Sequence, residues 1–174
     1  MRMYDVIIAI DPDVDRSGVA MMDVKSRSVA CQALNLPELI DYLVSCRDAA
    51  SQKNESLVVV VEAGWLAETN WHIKKGDRAQ KVASIGAKVG RNQEIGHQVL
   101  LFCQHYNIAS EEKRPLVKCW SGPDRKITQG EIERLALGSS VRLSARRPNQ
   151  EMRDAVLLAL DRSGIPLRMA RNSK

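Results

Sequence analysis

Residues 3–23 read MYDVIIAIDPDVDRSGVAMMD. From Val6 to Ile10 the chain is unbroken apolar, the pattern of a central strand buried on both faces. The run stops at Asp11. Pro12 cannot donate to a sheet ladder, and Gly18 permits a tight return before a second apolar run, Val19-Ala20-Met21-Met22. The stretch therefore reads as a hairpin whose first strand ends on a carboxylate. On this evidence alone, Asp11 fits an Asp-Pro turn and a site residue equally well.

Beyond the hairpin, residues 25–27 form a polar turn and residues 28–34 a third antiparallel strand. Asn35 is placed as a helix N-cap, with Pro37 in the first turn and Glu38 completing a capping box. That helix runs to about Ala50. Residues 57–61, LVVVV, make another buried strand, and it too ends on an acid, Glu62. Strand, helix, strand favours parallel pairing through a right-handed crossover. Were the two strands neighbours, Asp11 and Glu62 would share the sheet edge at which α/β sheets build sites.

Residues 63–76 lack periodicity and contain Trp65, Trp71, His72, Lys74 and Lys75. They read as a loop whose aromatics are exposed or anchor it to the core. Asp77 can cap a long helix towards Tyr106, with Val82, Ile85 and Val89 on one face and Arg78, Lys81, Lys88 and Arg91 as a basic set. Gly86, Gly90 and Gly96 each cost about 1 kcal/mol relative to alanine in a helix, which points to a kink or the close approach of another helix. Residues 115–120, PLVKCW, read as a fifth strand. Thr128 and Glu131 form a second capping box, Arg142, Arg146 and Arg147 a basic connection, and Asn149 the cap of a last helix with Ala155, Leu158 and Ala159 inward.

The fold class expected is α/β: a five-stranded mixed sheet, three antiparallel strands then parallel ones, flanked by helices. A chain of 174 residues with 44% hydrophobic content suits one domain, assigned to residues 1–165, with a loose basic tail over 166–174. The net charge of +5 is compatible with a polyanionic partner. The four cysteines have no metal-ligand spacing and read as buried free thiols. With neither a leader pattern nor a run near ~20 apolar residues, a soluble, cytoplasmic protein is expected.

Glu151 and Asp154 lie three apart, on one face near a helix N-terminus. The helix dipole alone would accommodate them. If that helix packs beside the strand ends, however, four carboxylates converge: Asp11, Glu62, Glu151 and Asp154. All-oxygen ligands suit Mg²⁺, with Mn²⁺ as a substitute, and two such ions roughly 3.5–4 Å apart promote phosphodiester hydrolysis. All four acids are candidate metal ligands on this reading. Asp13 and Asp15 either cap the turn or add ligands. The surrounding basic residues, Lys74, Lys75, Arg78, Lys81, Arg146 and Arg147, would hold nucleic acid.

In this order of elements the chain resembles the ribonuclease H-like fold and, within it, the RuvC-type Holliday-junction resolvases. The likeness runs from IIAIDPDVDRSGVAMMD to NQEMRDAVLLAL. Asp11, Pro12 and Gly18 match the first family motif, Glu62 the second acid, and Glu151, Asp154 and Ala155 the last. The resemblance implies a homodimeric, metal-dependent endonuclease that cuts four-way DNA junctions by paired nicks. It implies base stacking for Trp65, phosphate contact for Lys126 with Lys118 behind it, and a dimer interface with Val82, Gly86, Val89 and Gly90. Asp13 replaces the glycine usual after Asp-Pro, and Glu151 is one methylene longer than the usual aspartate, so the resemblance implies Asp11, Glu62 and Asp154 as the metal ligands, with Glu151 assisting. The rival readings are another ribonuclease H-like nuclease, acting on flaps, branches or RNA–DNA hybrids, and a catalytically silent junction binder. A sugar-kinase or actin-type fold shares the early hairpin but needs a second domain.

Overall fold

The apolar run at the N-terminus lies at the middle of a sheet. In the computed structural model, which describes residues 3–67, 78–145 and 147–167, it forms β1 (Val6–Asp11). There follow β2 (Ser17–Asp23), β3 (Ser28–Leu34), α1 (Leu36–Gln52), β4 (Leu57–Glu62) and α2 (Ala79–His105). The chain continues through β5 (Ser110–Lys113), α3 (Gln129–Gly138), β6 (Arg142–Leu143) and α4 (Gln150–Arg162). The sheet order is β5-β4-β1-β2-β3-β6. β1, β2 and β3 are antiparallel, whereas β4 on β1, β5 on β4 and β6 on β3 are parallel.

The sheet thus has six strands, not the five expected. Residues 115–120 are not among them. The strand beside β4 is the polar Ser110–Lys113, an edge strand, which needs backbone pairing on one side only and little apolar surface. Leu116 and Trp120 instead contribute side chains to the core from outside the ladder. β6 is two residues long, too short to leave a periodic pattern, and lies inside the expected basic connection.

Strand alternation divides the core. Ile7 and Ala9 of β1, with Val58 and Val60 of β4, face α3 and α4; Ile8, Ile10, Val59 and Val61 face α1 and α2. All six residues from Ala155 to Leu160 of α4 are buried. The three expected side-chain N-caps are present: Asn35 and Thr128 in full capping boxes, and Asn149 accepting from the Met152 N–H. The cap expected at Asp77 lies outside the described residues, as do Trp71, His72, Lys74, Lys75, Arg146 and the tail from 168. All four cysteines are free, but only Cys103 is buried as expected; Cys31 and Cys46 are half-buried and Cys119 is exposed. No helix among the described residues is long and apolar enough to cross a membrane.

Close approach at glycine occurs where α4 crosses β2. A Cβ on Gly18 would collide with the backbone carbonyl of Glu151. Among the described residues, Gly86 and Gly90 have nothing beyond their own helix backbone within 4 Å of where a Cβ would stand, and α2 runs through them without interruption. Gly18→Ala should therefore displace the N-terminal turn of α4 and cost about 1–3 kcal/mol. Gly130→Ala, in open space on α3, should be neutral or gain up to about 1 kcal/mol. Urea unfolding of both variants measures the contrast.

Candidate active site

Alternation along two strands places the first two acids. Asp11 follows Ile7 and Ala9 on the α4-facing side of β1, and Glu62 follows Val58 and Val60 on the same side of β4. Ile10 pairs with Val61 in the parallel register, so the two acids stand one position further along, on adjacent strands. Across β1, Asp11 pairs with Gly18, on which α4 rests. One turn into α4 comes Asp154, its side chain only 16% exposed. The Gln150 amide donates to Asp154 Oδ1 at 2.8 Å, and Lys126 Nζ lies 3.8 Å from Asp154 Oδ2.

The three carboxyls lie near enough to feel one another's charge. Burial first, then the charges of Glu62 and Asp154, hold the Asp11 carboxyl well above its ordinary range. Burial and then Asp154 push Glu62 up to about 7. Asp154 is raised as well, mainly by burial, with Lys126 and the Gln150 hydrogen bond opposing. Lys118 and Lys126 lower all three. Glu151 is more marginal: its backbone carbonyl seats on Gly18, and its charge is the smallest of the influences on Asp154.

Among the described residues, no group of three or more Asp, Glu, His or Cys side chains is placed so that it could hold a metal ion. The donor chemistry nevertheless fits a hard divalent cation. Three carboxylates from three separate elements crowd one edge of the sheet, and two lysines leave them still short of positive charge.

The expected DNA contacts are scattered. Lys118 and Lys126 are half-buried beside the acids, while Arg78, Lys81 and Arg147 are exposed. Lys74, Lys75 and Arg146 lie outside the described residues. Trp65 is half-buried, stacked on His97 with centroids 4.0 Å apart, and its indole N–H donates to Glu112 at 3.2 Å. On α2, Val82 and Val89 are half-buried, and Gly86 and Gly90 exposed.

Two residues near the acids escaped the sequence reading. Arg153 donates to the carbonyls of Ile127 and Pro148 and to Gln150 Oε1, so it ties the Lys126 segment to the start of α4. Asn92 reaches from α2 to the turn after Asp11. A poor helix former inside a long helix was its only trace in the sequence. Arg153 left none.

Against solved structures, the chain aligns with T. thermophilus RuvC in complex with Holliday junction substrate at TM-score 0.52 and 13% identity, covering 89% of this chain and 90% of that one. The chain has the RuvC fold. Two further structures align at lower scores: Thermus thermophilus RuvC (TM-score 0.45, 15% identity, 92% and 97% covered) and Fowlpox virus resolvase with substrate Holliday junction DNA (0.42, 13%, 91% and 97%). No family model matches the sequence, and no curated protein does. The likeness to RuvC is therefore one of architecture, carried by a chain with little sequence in common.

The raised carboxyls have a measurable consequence. Glu62 binds its proton more tightly folded than unfolded, so ionising it opposes folding. The penalty is absent below its ordinary value of 4.5, grows as pH rises, and is complete above about 7. Glu62→Gln should therefore be more stable than wild type at pH 8, with the difference shrinking towards pH 4.5. Mg²⁺ at pH 8 should raise the Tm of wild type more than that of the variant. Thermal unfolding across this range, with and without Mg²⁺, checks both.

Proposed function

We propose that the chain is a divalent-metal-dependent endonuclease for branched DNA, four-way junctions foremost, acting as a homodimer. The observation that carries this reading is the meeting of Asp11, Glu62 and Asp154 at one edge of a RuvC-fold sheet, with Lys118 and Lys126 beside them. RuvC of T. thermophilus, on the same fold, is bound to a Holliday junction. Flap, branch or hybrid cutting is the nearest alternative on this fold.

In this reading Asp11, Glu62 and Asp154 hold the metal, and Glu151 assists from the rim. Mg²⁺ or Mn²⁺ bound there would activate water and stabilise charge on the scissile phosphate. Lys126 now neutralises Asp154, and would exchange that partner for the incoming phosphate once a cation takes the carboxylate. Lys118 adds positive charge from the neighbouring segment. Arg78, Lys81, Arg147, Lys74, Lys75 and Arg146 supply the sequence-independent attraction for phosphates. Trp65, braced on His97, offers a stacking face to an unpaired base.

The dimer rests on α2. From Ala79 to Ile95 that helix buries no residue in its own chain, while Val82 and Val89 keep an apolar line on it. Gly86 and Gly90 leave room there for the backbone of a second copy's helix. Two-fold pairing would present one site to each of two opposed strands.

One observation favours a second reading. Asp154 is already satisfied by Lys126 and Gln150, as in a silent junction binder whose acids serve folding. A labelled immobile junction, incubated beside linear duplex and RNA–DNA hybrid with and without Mg²⁺, separates the readings. Paired symmetric nicks in the junction alone are expected, only with metal. Asp11→Asn should slow cutting by at least about 100-fold while leaving junction binding intact. Tight binding without cutting in either Mg²⁺ or Mn²⁺ would establish the silent binder.

A further inference from the structure

The two strand-end acids are each followed by a short loop, and one turn of α2 touches both loops. After Asp11, the Val14 N–H donates to Asn92 Oδ1 at 3.0 Å, and Asn92 Nδ2 donates to Asp13 Oδ2 at 3.0 Å. After Glu62, Trp65 stacks on His97 and packs over Gly96, where a Cβ would stand 2.7 Å from the indole ring and 3.3 Å from Pro12. Gln93 lies against Gly64. Residues 92–97 therefore bridge the exits of β1 and β4.

Within that bridge, the contact of Asn92 is the most specific. Both ends of one amide are used, on two consecutive residues 78 and 79 positions earlier in the chain. The turn it grips is also closed from inside: the Asp15 N–H donates to Asp13 Oδ1 at 2.9 Å, and the Asp13 N–H to Ser17 Oγ at 3.2 Å. Each carboxylate oxygen of Asp13 thus has a donor, which accounts for this acid without a cation.

We propose that Asn92 is a positioning residue for the metal centre: by clamping the Asp13–Val14 turn to α2, it sets the carboxylate of Asp11 towards Glu62 and Asp154. The role rests on the metal-site reading above. It also assigns Asp13 to the clamp and not to the ligand set.

The geometry permits an exchange of partners. In Asn92→Asp alone, a carboxylate faces the carboxylate of Asp13, the Nδ2 donor is lost, and the turn is pushed from α2. In the double variant Asp13→Asn with Asn92→Asp, the donor sits on residue 13 and the acceptor on residue 92. Every hydrogen bond of the clamp can then form again with the same net charge.

Calorimetric titration of the full chain with Mn²⁺, alongside the Tm of the metal-free protein, is the test. Asn92→Asp should weaken Mn²⁺ binding by about tenfold or more, as loss of a group that orients a ligand does. The exchanged double variant should recover to within a few-fold of wild type, whereas Asp13→Asn alone, which leaves two amide NH2 groups facing across the clamp, should weaken binding no more than Asn92→Asp does. The clamp is overturned if Asp13→Asn alone abolishes Mn²⁺ binding, since Asp13 is then a ligand. It is also overturned if the exchange fails to rescue, or if Asn92→Asp lowers only the Tm and leaves Mn²⁺ affinity unchanged. A wild-type chain that takes up no Mn²⁺ defeats the metal centre itself and the positioning role with it. That result is distinct from a wild type that binds Mn²⁺ with variants that bind it equally well.

Discussion

Three carboxylates are held closer together, and drier, than their charges favour, and much of the architecture serves to hold them there. Asp11 and Glu62 are fixed on one side of the sheet by the alternation of β1 and β4. A slip of one residue between those strands would turn one acid to the opposite face. The apolar residues before each acid, buried on both faces, forbid that slip. Two strands whose sequences hold little besides hydrophobic content thereby set a polar geometry with the accuracy of a sheet register.

The third acid depends on a helix, and the helix is fastened at both ends. At its start, the missing side chain of Gly18 lets the backbone of α4 settle on β2. At its end, Arg162 is buried, pairs with Glu111 of the edge strand and lies over the Tyr4 ring, while Asp161 pairs with Lys113. With Arg162 buried, its pair with Glu111 adds little net stability, because desolvation offsets the attraction, but a misplaced helix would leave that charge buried and unpaired. Between the two ends, the continuous apolar stretch 155–160 supplies the cohesion. Asp154 borders that stretch and is carried to the sheet edge with it.

What could be read from the sequence follows from what each feature depends on. β1 and β4 were legible because double-sided burial writes itself as an unbroken apolar run. The starts of α1, α3 and α4 were legible because a cap is a local arrangement of three or four residues. β5 was not, since an edge strand is defined by its neighbour: Ser-Glu-Glu-Lys pairs with β4 while the more apolar 115–120 lies outside the ladder. The same holds at the site. The acids stood out as residues at strand ends and at helix spacing, whereas Asn92 and Arg153 act across the chain, on partners that only the fold brings near. In the sequence Gly18 looks like a turn former; its tighter constraint is the helix backbone above it.

The long helix α2 joins these considerations. Its inner part, from Asn92 onward, contacts the loops after both strand-end acids and buries Gly96, Val99 and Cys103. Its outer part buries no residue, although Val82, Ile85 and Val89 recur at helical spacing. Helices in water owe most of their stability to packing of an apolar face, so such a half-helix is best supported by surface from another molecule. On the dimeric reading, that surface belongs to a second copy, and the support reaches the site through a continuous helix with no glycine-induced break. The proposed metal centre and the assembly would then share one mechanical element, with Asn92 at the boundary between its two halves.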